Sequence, residues 1–99
     1  MIVEYIRYTI AAADADAFVA AYEHAAGALD AAPECLSYEL ARGREEPEHW
    51  ILRIEWTSTE AHEQGFRRGP HFAAFFAAIR PYVGAIDEMK HYERTAVAS

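Results

Sequence analysis

Two histidines, two arginines, a tryptophan and four phenylalanines fall within the stretch EWTSTEAHEQGFRRGPHFAAFF, Glu55 to Phe76. Such a segment sets titratable groups against an aromatic wall. His62 is its sharpest chemical feature, placed by the spacing about one helical turn before Phe66 and soon after Trp56. A neutral imidazole near pH 7 accepts a proton from a weakly acidic carbon or hydroxyl. The plain alternative is a helix histidine satisfied by water. His71 follows Pro70 at a helix start, where the dipole disfavours an imidazolium, and reads as a surface residue. Phe72, Phe75 and Phe76 are core by default, since a buried ring contributes about 1.5–3 kcal/mol. A flat aromatic ligand favours the same lining, which Trp56, Tyr8, Tyr38 and Tyr92 would join from the sheet.

Other chemistries lack their residues. The chain has no CxxC, HExxH, GxGxxG, GxSxG or P-loop pattern, and its five histidines are dispersed, so no metal site is expected. Cys35 stands alone and cannot form an internal disulfide, which suits a reducing, cytoplasmic setting. The net charge of -7 argues against a nucleic-acid backbone or an anionic membrane as partner. No apolar run approaches the length of a membrane span.

These residues need elements to position them. At 99 residues, 53% of them hydrophobic, the chain reads as a single domain over residues 1–99. MIVEYIRYTI alternates, with Ile2, Ile6, Tyr8 and Ile10 on one side, and only Glu4 breaks that apolar face. A helix follows, with Asp14 as its N-cap, Phe18, Tyr22, Ala25 and Leu29 on one face, and Pro33 as its stop. ECLSYELAR and HWILRIEW pair as a hairpin, with Leu36, Tyr38 and Leu40 on one face and Trp50, Leu52, Ile54 and Trp56 on the matching one. Thr57 to Glu60 has capping-box spacing and opens a short helix to Phe66. Gly69-Pro70 restarts the chain into a second helix with Pro70 at its first position, ended by Pro81 and Gly84. AIDEMKHYERTAV is the last strand. The order is that of a ferredoxin-like α+β fold, βαββαβ, with helices on one face of a four-stranded antiparallel sheet. The other face carries Tyr5, Arg7, Glu39, Ile51, Arg53 and Glu55, with Arg7 and Arg53 placed to pair with Glu39 and Glu55 across a symmetric homodimer contact.

The string EWTSTEAHEQGFRRGPHFAAFFAAIRPYV, followed by a strand ending EMKHYE, resembles the antibiotic biosynthesis monooxygenase domain over nearly the whole chain. Trp56 matches that family's bulky residue at a strand end, His62 the last position of its S-x-E-A-H/F motif, and Phe72 the phenylalanine of P-x-F. The resemblance implies subunits that pair sheet to sheet into a dimeric α+β barrel, each with a pocket between sheet and helices. It implies cofactor-free oxygenation of anthrones or quinols by O2, for which the protein supplies a base, donors to the substrate oxygen and a dry pocket. Haem-degrading relatives carry an asparagine where Ile6 stands, a histidine where Phe76 stands and a tryptophan near Gly65 or Phe66; all are missing here.

The resulting expectation is a cofactor-independent monooxygenase acting on a small electron-rich aromatic. His62 would be its base or oxyanion donor, and Trp56, Phe66, Phe72, Tyr92, His91 and Arg67 would bind substrate. The alternatives are a non-catalytic dimeric barrel that binds a small ligand, an isomerase or decarboxylase that works without oxygen, and a haem-binding protein.

Overall fold

The computed structural model describes all 99 residues. Strand β1 (Ile2–Thr9) lies inside a four-stranded antiparallel sheet of order β2-β3-β1-β4, flanked by β3 (His49–Trp56) and β4 (Ile86–Glu93), with β2 (Cys35–Arg42) at the far edge. Helices α1 (Ala15–Ala31) and α2 (Phe72–Ile79) cover one face, which is the ferredoxin-like arrangement.

Alternation accounts for the strands. Tyr8, Trp50, Leu52, Ile54 and Trp56 all turn toward the helices and are buried. Helix α1 answers with Phe18, Tyr22, Ala25 and Leu29, one residue for each turn or so of a 3.6-residue helix. Phe18 stands at its centre, in edge contact with Tyr8, Tyr22, Trp50 and Tyr82 at ring distances of 4.9–5.9 Å among that cluster. Glu4 lies on the same inward face as Ile6 and Tyr8 and is 2% exposed.

Several local features depart from the pattern read in the sequence. A bulge between Cys35 and Ser37 shifts the β2 register, so Cys35 pairs with Trp56 and packs against the core while Leu36 is left 49% exposed. A short 3-10 turn, Ala12–Asp14, precedes α1, and Asp14 makes no side-chain cap bond. The segment after β3 closes as a π-helix, Ala61–Phe66, in which the Arg67 N–H donates to the His62 carbonyl, five residues back. Its start is capped by Ser58, whose Oγ accepts from the Ala61 N–H at 2.9 Å. Pro70 precedes α2 rather than opening it, and His71 is the residue at the N-cap position. Beyond α2 the chain continues through Pro81 as a 3-10 helix, Arg80–Ala85. The last strand ends at Glu93.

Gly69 makes the tight passage from the π-helix to α2 possible. A Cβ there would stand 2.3 Å from the Gly65 carbonyl oxygen. On the outer face of the sheet Arg53 pairs with Glu55 at 2.6 Å, Arg94 with Glu55 at 3.6 Å and Arg7 with Glu88 at 3.6 Å. Within one subunit Arg53 thus meets a neighbour on its own strand and Arg7 one on the adjacent strand β4. No helix is long and apolar enough to cross a membrane.

Candidate functional site

Between the sheet and α2 lies a cavity of about 140 Å³, walled mainly by apolar side chains that include Ile6, Ile54, Phe66, Phe75 and Ile79. Phe76, Val83 and Met89, each more than a third exposed, rim its mouth. Its polar corner is small and deep: Glu4 and His62, backed by Trp56, with Arg67 on the wall.

Each part of that corner has a structural origin. Glu4 projects inward from the middle of β1, opposite Ile54 on β3 and His91 on β4. Trp56 ends β3, wholly buried, and its Nε1–H donates to Glu4 Oε1 at 3.0 Å. The π-helix turns His62 and Phe66 onto the core, and the His62 ring stacks on the Trp56 indole, 4.6 Å between centroids and 15° between planes. His62 Nδ1 then meets His91 Nε2 at 2.7 Å, and His62 Nε2 lies 3.5 Å from Glu4 Oε1. A line of titratable groups therefore runs outward from Glu4, 2% exposed, through His62, 5%, to His91, 28%.

Electrostatics sets the protonation states. Burial raises the Glu4 carboxyl above its ordinary range, opposed by the Trp56 hydrogen bond and by the cationic influence of His91 and Arg67. Burial, then Arg67 and His91, depress His62 to about 4, so the imidazole is neutral near pH 7. Tyr8, on the cavity wall, bonds through its hydroxyl to Tyr22, and burial raises both phenols, which stay protonated. A neutral imidazole next to a buried carboxyl, facing an apolar cavity, is an arrangement that moves protons and holds an apolar guest.

Of the residues singled out in the sequence, His62, Trp56, Phe66, Phe72 and Arg67 all reach the cavity. His91 does not line it, but stands behind His62 as its hydrogen-bond partner. Tyr92 faces the other way: it is 48% exposed and meets Tyr5 edge-on at 5.5 Å on the outer face of the sheet. Strand alternation allows only one of these two neighbours to turn inward, and it is His91. Glu4 is the residue that sequence reasoning passed over. Its signal was present as a lone acid on an otherwise apolar strand face, where burial is costly unless the acid is bonded.

The family model described as antibiotic biosynthesis monooxygenase matches residues 1–78. No curated protein matches the chain. Among solved structures, a presumptive antibiotic biosynthesis monooxygenase from Bordetella bronchiseptica is 21% identical, with 95% of this chain and 96% of that one covered and a TM-score of 0.76. A second presumptive member, from Chloroflexus aurantiacus, is 22% identical over 99% of this chain and 96% of that one, also with a TM-score of 0.76. A variant of SnoaB from Streptomyces nogalater, described as a cofactor-independent oxygenase, is 20% identical over 99% and 94%, with a TM-score of 0.70. At these identities the three likenesses show the fold. The family match spans most of the chain and reaches from Glu4 through His62 to Phe76, so the chain belongs to the antibiotic biosynthesis monooxygenase family.

Proposed function

We propose that the protein is a cofactor-independent monooxygenase that oxidises a small electron-rich aromatic with O2. The observation that carries this reading is the apolar cavity with one polar corner, in which a neutral imidazole is hydrogen-bonded outward to a second, partly exposed histidine. Family membership and the description of SnoaB support the same reaction class.

The chemistry follows from the geometry. A substrate hydroxyl or activated C–H at the polar corner gives its proton to His62 Nε2, in the tautomer that keeps Nδ1 protonated. The Nδ1 proton moves along the 2.7 Å bond to His91 Nε2. His62 therefore need not hold two protons at once, which its depressed pKa would resist. Glu4, held by the Trp56 N–H, offsets the positive charge that appears on the histidine pair. The deprotonated substrate is the reductant. It passes one electron to O2, and the resulting superoxide and substrate radical combine at carbon. The peroxide takes back the proton held by the histidine pair and loses water with the hydrogen of that carbon to leave a new carbonyl. One oxygen atom ends in product and the other in water. Arg67 on the cavity wall faces the negative charge that develops on oxygen.

Size bears on the substrate. At about 140 Å³ the cavity is below the roughly 300–1,000 Å³ that houses drug-sized ligands. A single-ring quinol or phenol lies within it, whereas a three-ring anthrone would project through the mouth between Phe76, Val83 and Met89. The homodimer belongs to the same proposal. No helix covers the outer face of the sheet, where half-buried Tyr5 and Ile51 accompany Arg7, Arg53 and Glu55, each already paired within the chain, so a second copy would cover apolar surface without orphaning those three charges.

Oxygen uptake by metal-free, haem-free protein tests the reading, with single-ring quinols and anthrones compared against His62→Ala and a protein-free control for autoxidation. Uptake above autoxidation that is lost in the variant is expected. Tight binding with no enhancement by the wild-type protein would overturn it in favour of a ligand-binding barrel.

A further inference from the structure

Glu4, His62 and His91 also have the composition of a metal site. They come from β1, the π-helix and β4, and one ligand atom from each lies within 4.8 Å of the others. A tetrahedral ion with bonds of about 2.0–2.2 Å sets its ligand atoms roughly 3.3 Å apart. Glu4 Oε1 is 3.5 Å from His62 Nε2, and Glu4 Oε2 is 3.9 Å from His91 Nε2. Those separations run to different oxygens of one carboxylate, so an ion would draw the three ligand atoms closer than the 4.8 Å that now bounds them. The main adjustment falls on His91, whose ring must turn from His62 Nδ1 toward the ion, and it is the most exposed of the three. Trp56 holds one carboxylate oxygen in place, as an outer partner commonly does for a metal ligand.

We infer that Glu4, His62 and His91 form a site for a divalent transition-metal ion of the Zn²⁺ type, which takes the place of the mobile proton and stops its transfer. Two imidazoles and one carboxylate favour Zn²⁺ and its neighbours over Mg²⁺ or Ca²⁺. The fourth position opens on the cavity, where water or a substrate oxygen completes the shell. Arg67 on the cavity wall opposes a second cation, so the ion exchanges with solution instead of remaining permanently bound. The binding site goes beyond the oxygenase reading and is tested without it, whereas the blocking role rests on that reading.

The test is titration of chelator-stripped protein with Zn²⁺ against a competing chromophoric chelator, for the wild type and for Glu4→Gln, His91→Ala and His24→Ala, each checked for its fold by circular dichroism. One ion per chain is expected. Glu4→Gln and His91→Ala should each weaken binding by more than about tenfold, while His24→Ala, on the exposed side of α1, should leave it unchanged. Absence of binding, or an affinity indifferent to both ligand variants, would overturn the site. Where the wild type consumes oxygen with a quinol, uptake should fall as Zn²⁺ fills the site and return with chelator. Acceleration by Zn²⁺ would overturn the blocking role while leaving the binding result intact.

Discussion

Acid should unfold this protein partly through His62. The side chain is 4% exposed and held near a pKa of about 4 against an ordinary 6.5, with Glu4, Arg67 and His91 as the titratable and charged groups around it. In the unfolded chain the imidazole takes up a proton below about 6.5; in the folded chain it does so only near 4. The stability linked to its neutral form is therefore complete above the unfolded value and is lost as pH falls from one value to the other. At about 1.36 kcal/mol per pKa unit, the whole window is worth roughly 3.4 kcal/mol, of which about 2.5 is lost between pH 7.5 and 4.5. A domain of this size has only some 5–15 kcal/mol in total. Glu4, raised by burial, works in the opposite direction, because its protonation in the folded state adds stability as pH falls. A comparison with His62→Gln separates the two, since Glu4 is present in both proteins. Urea unfolding with chelator, at both pH values, should show the wild type losing about 2.5 kcal/mol more than the variant. Equal losses would refute the argument that burial holds this imidazole neutral.

Gly69→Ala should destabilise by more than about 1 kcal/mol, because the new methyl meets a backbone oxygen that cannot step aside, whereas Gly27→Ala, in open space within α1, should stabilise by about 0.5–1 kcal/mol; thermal melts compare them. Trp56→Phe removes the only N–H that bonds Glu4 and should cost about 1–3 kcal/mol at neutral pH, less at a pH where the carboxyl is protonated, as read by urea unfolding. The Cys35 thiol is pushed up to about 11, first by burial and then by Asp30, so alkylation of the folded protein near pH 8 should be slow and should quicken sharply in urea. Ile51→Glu, on the outer sheet face, should turn a dimer seen by light scattering into a monomer, and an unchanged mass would refute that face as the contact.

Much of this was legible in the chain itself. Alternation in HWILRIEW and the 3.6-residue spacing of Phe18, Tyr22, Ala25 and Leu29 report burial directly, so the sheet and its helical cover could be read. Trp56, His62, Phe66, Arg67 and Phe72 share one segment, and local order was enough to bring them together. Leu36 was misplaced because a bulge adds one residue without any change in composition. The choice between His91 and Tyr92 depended on how β4 registers against β1, where a further irregularity falls after Arg7, and no local rule supplies it. The π-helix is set by which carbonyl the Arg67 N–H finds, which propensity does not encode. Glu4 was visible but read as a fault in a strand, since its partners Trp56, His62 and His91 are 52, 58 and 87 positions away.

The cavity's floor and mouth are made by different parts of the chain. Glu4 and Trp56 sit on the two central, doubly paired strands, where a change in one side chain disturbs ladders on both sides. Phe76, Val83 and Met89 come from α2, the 3-10 helix and the edge strand β4, and all three reach solvent. Phe76 and Val83 stand on elements that carry none of Glu4, His62 and His91, whereas Met89 shares β4 with His91 and meets the Arg67 guanidinium at 3.9 Å. A library confined to Phe76 and Val83 would thus vary which molecules enter while the chemistry stays constant, and the scaffold is in that sense already partitioned for diversification.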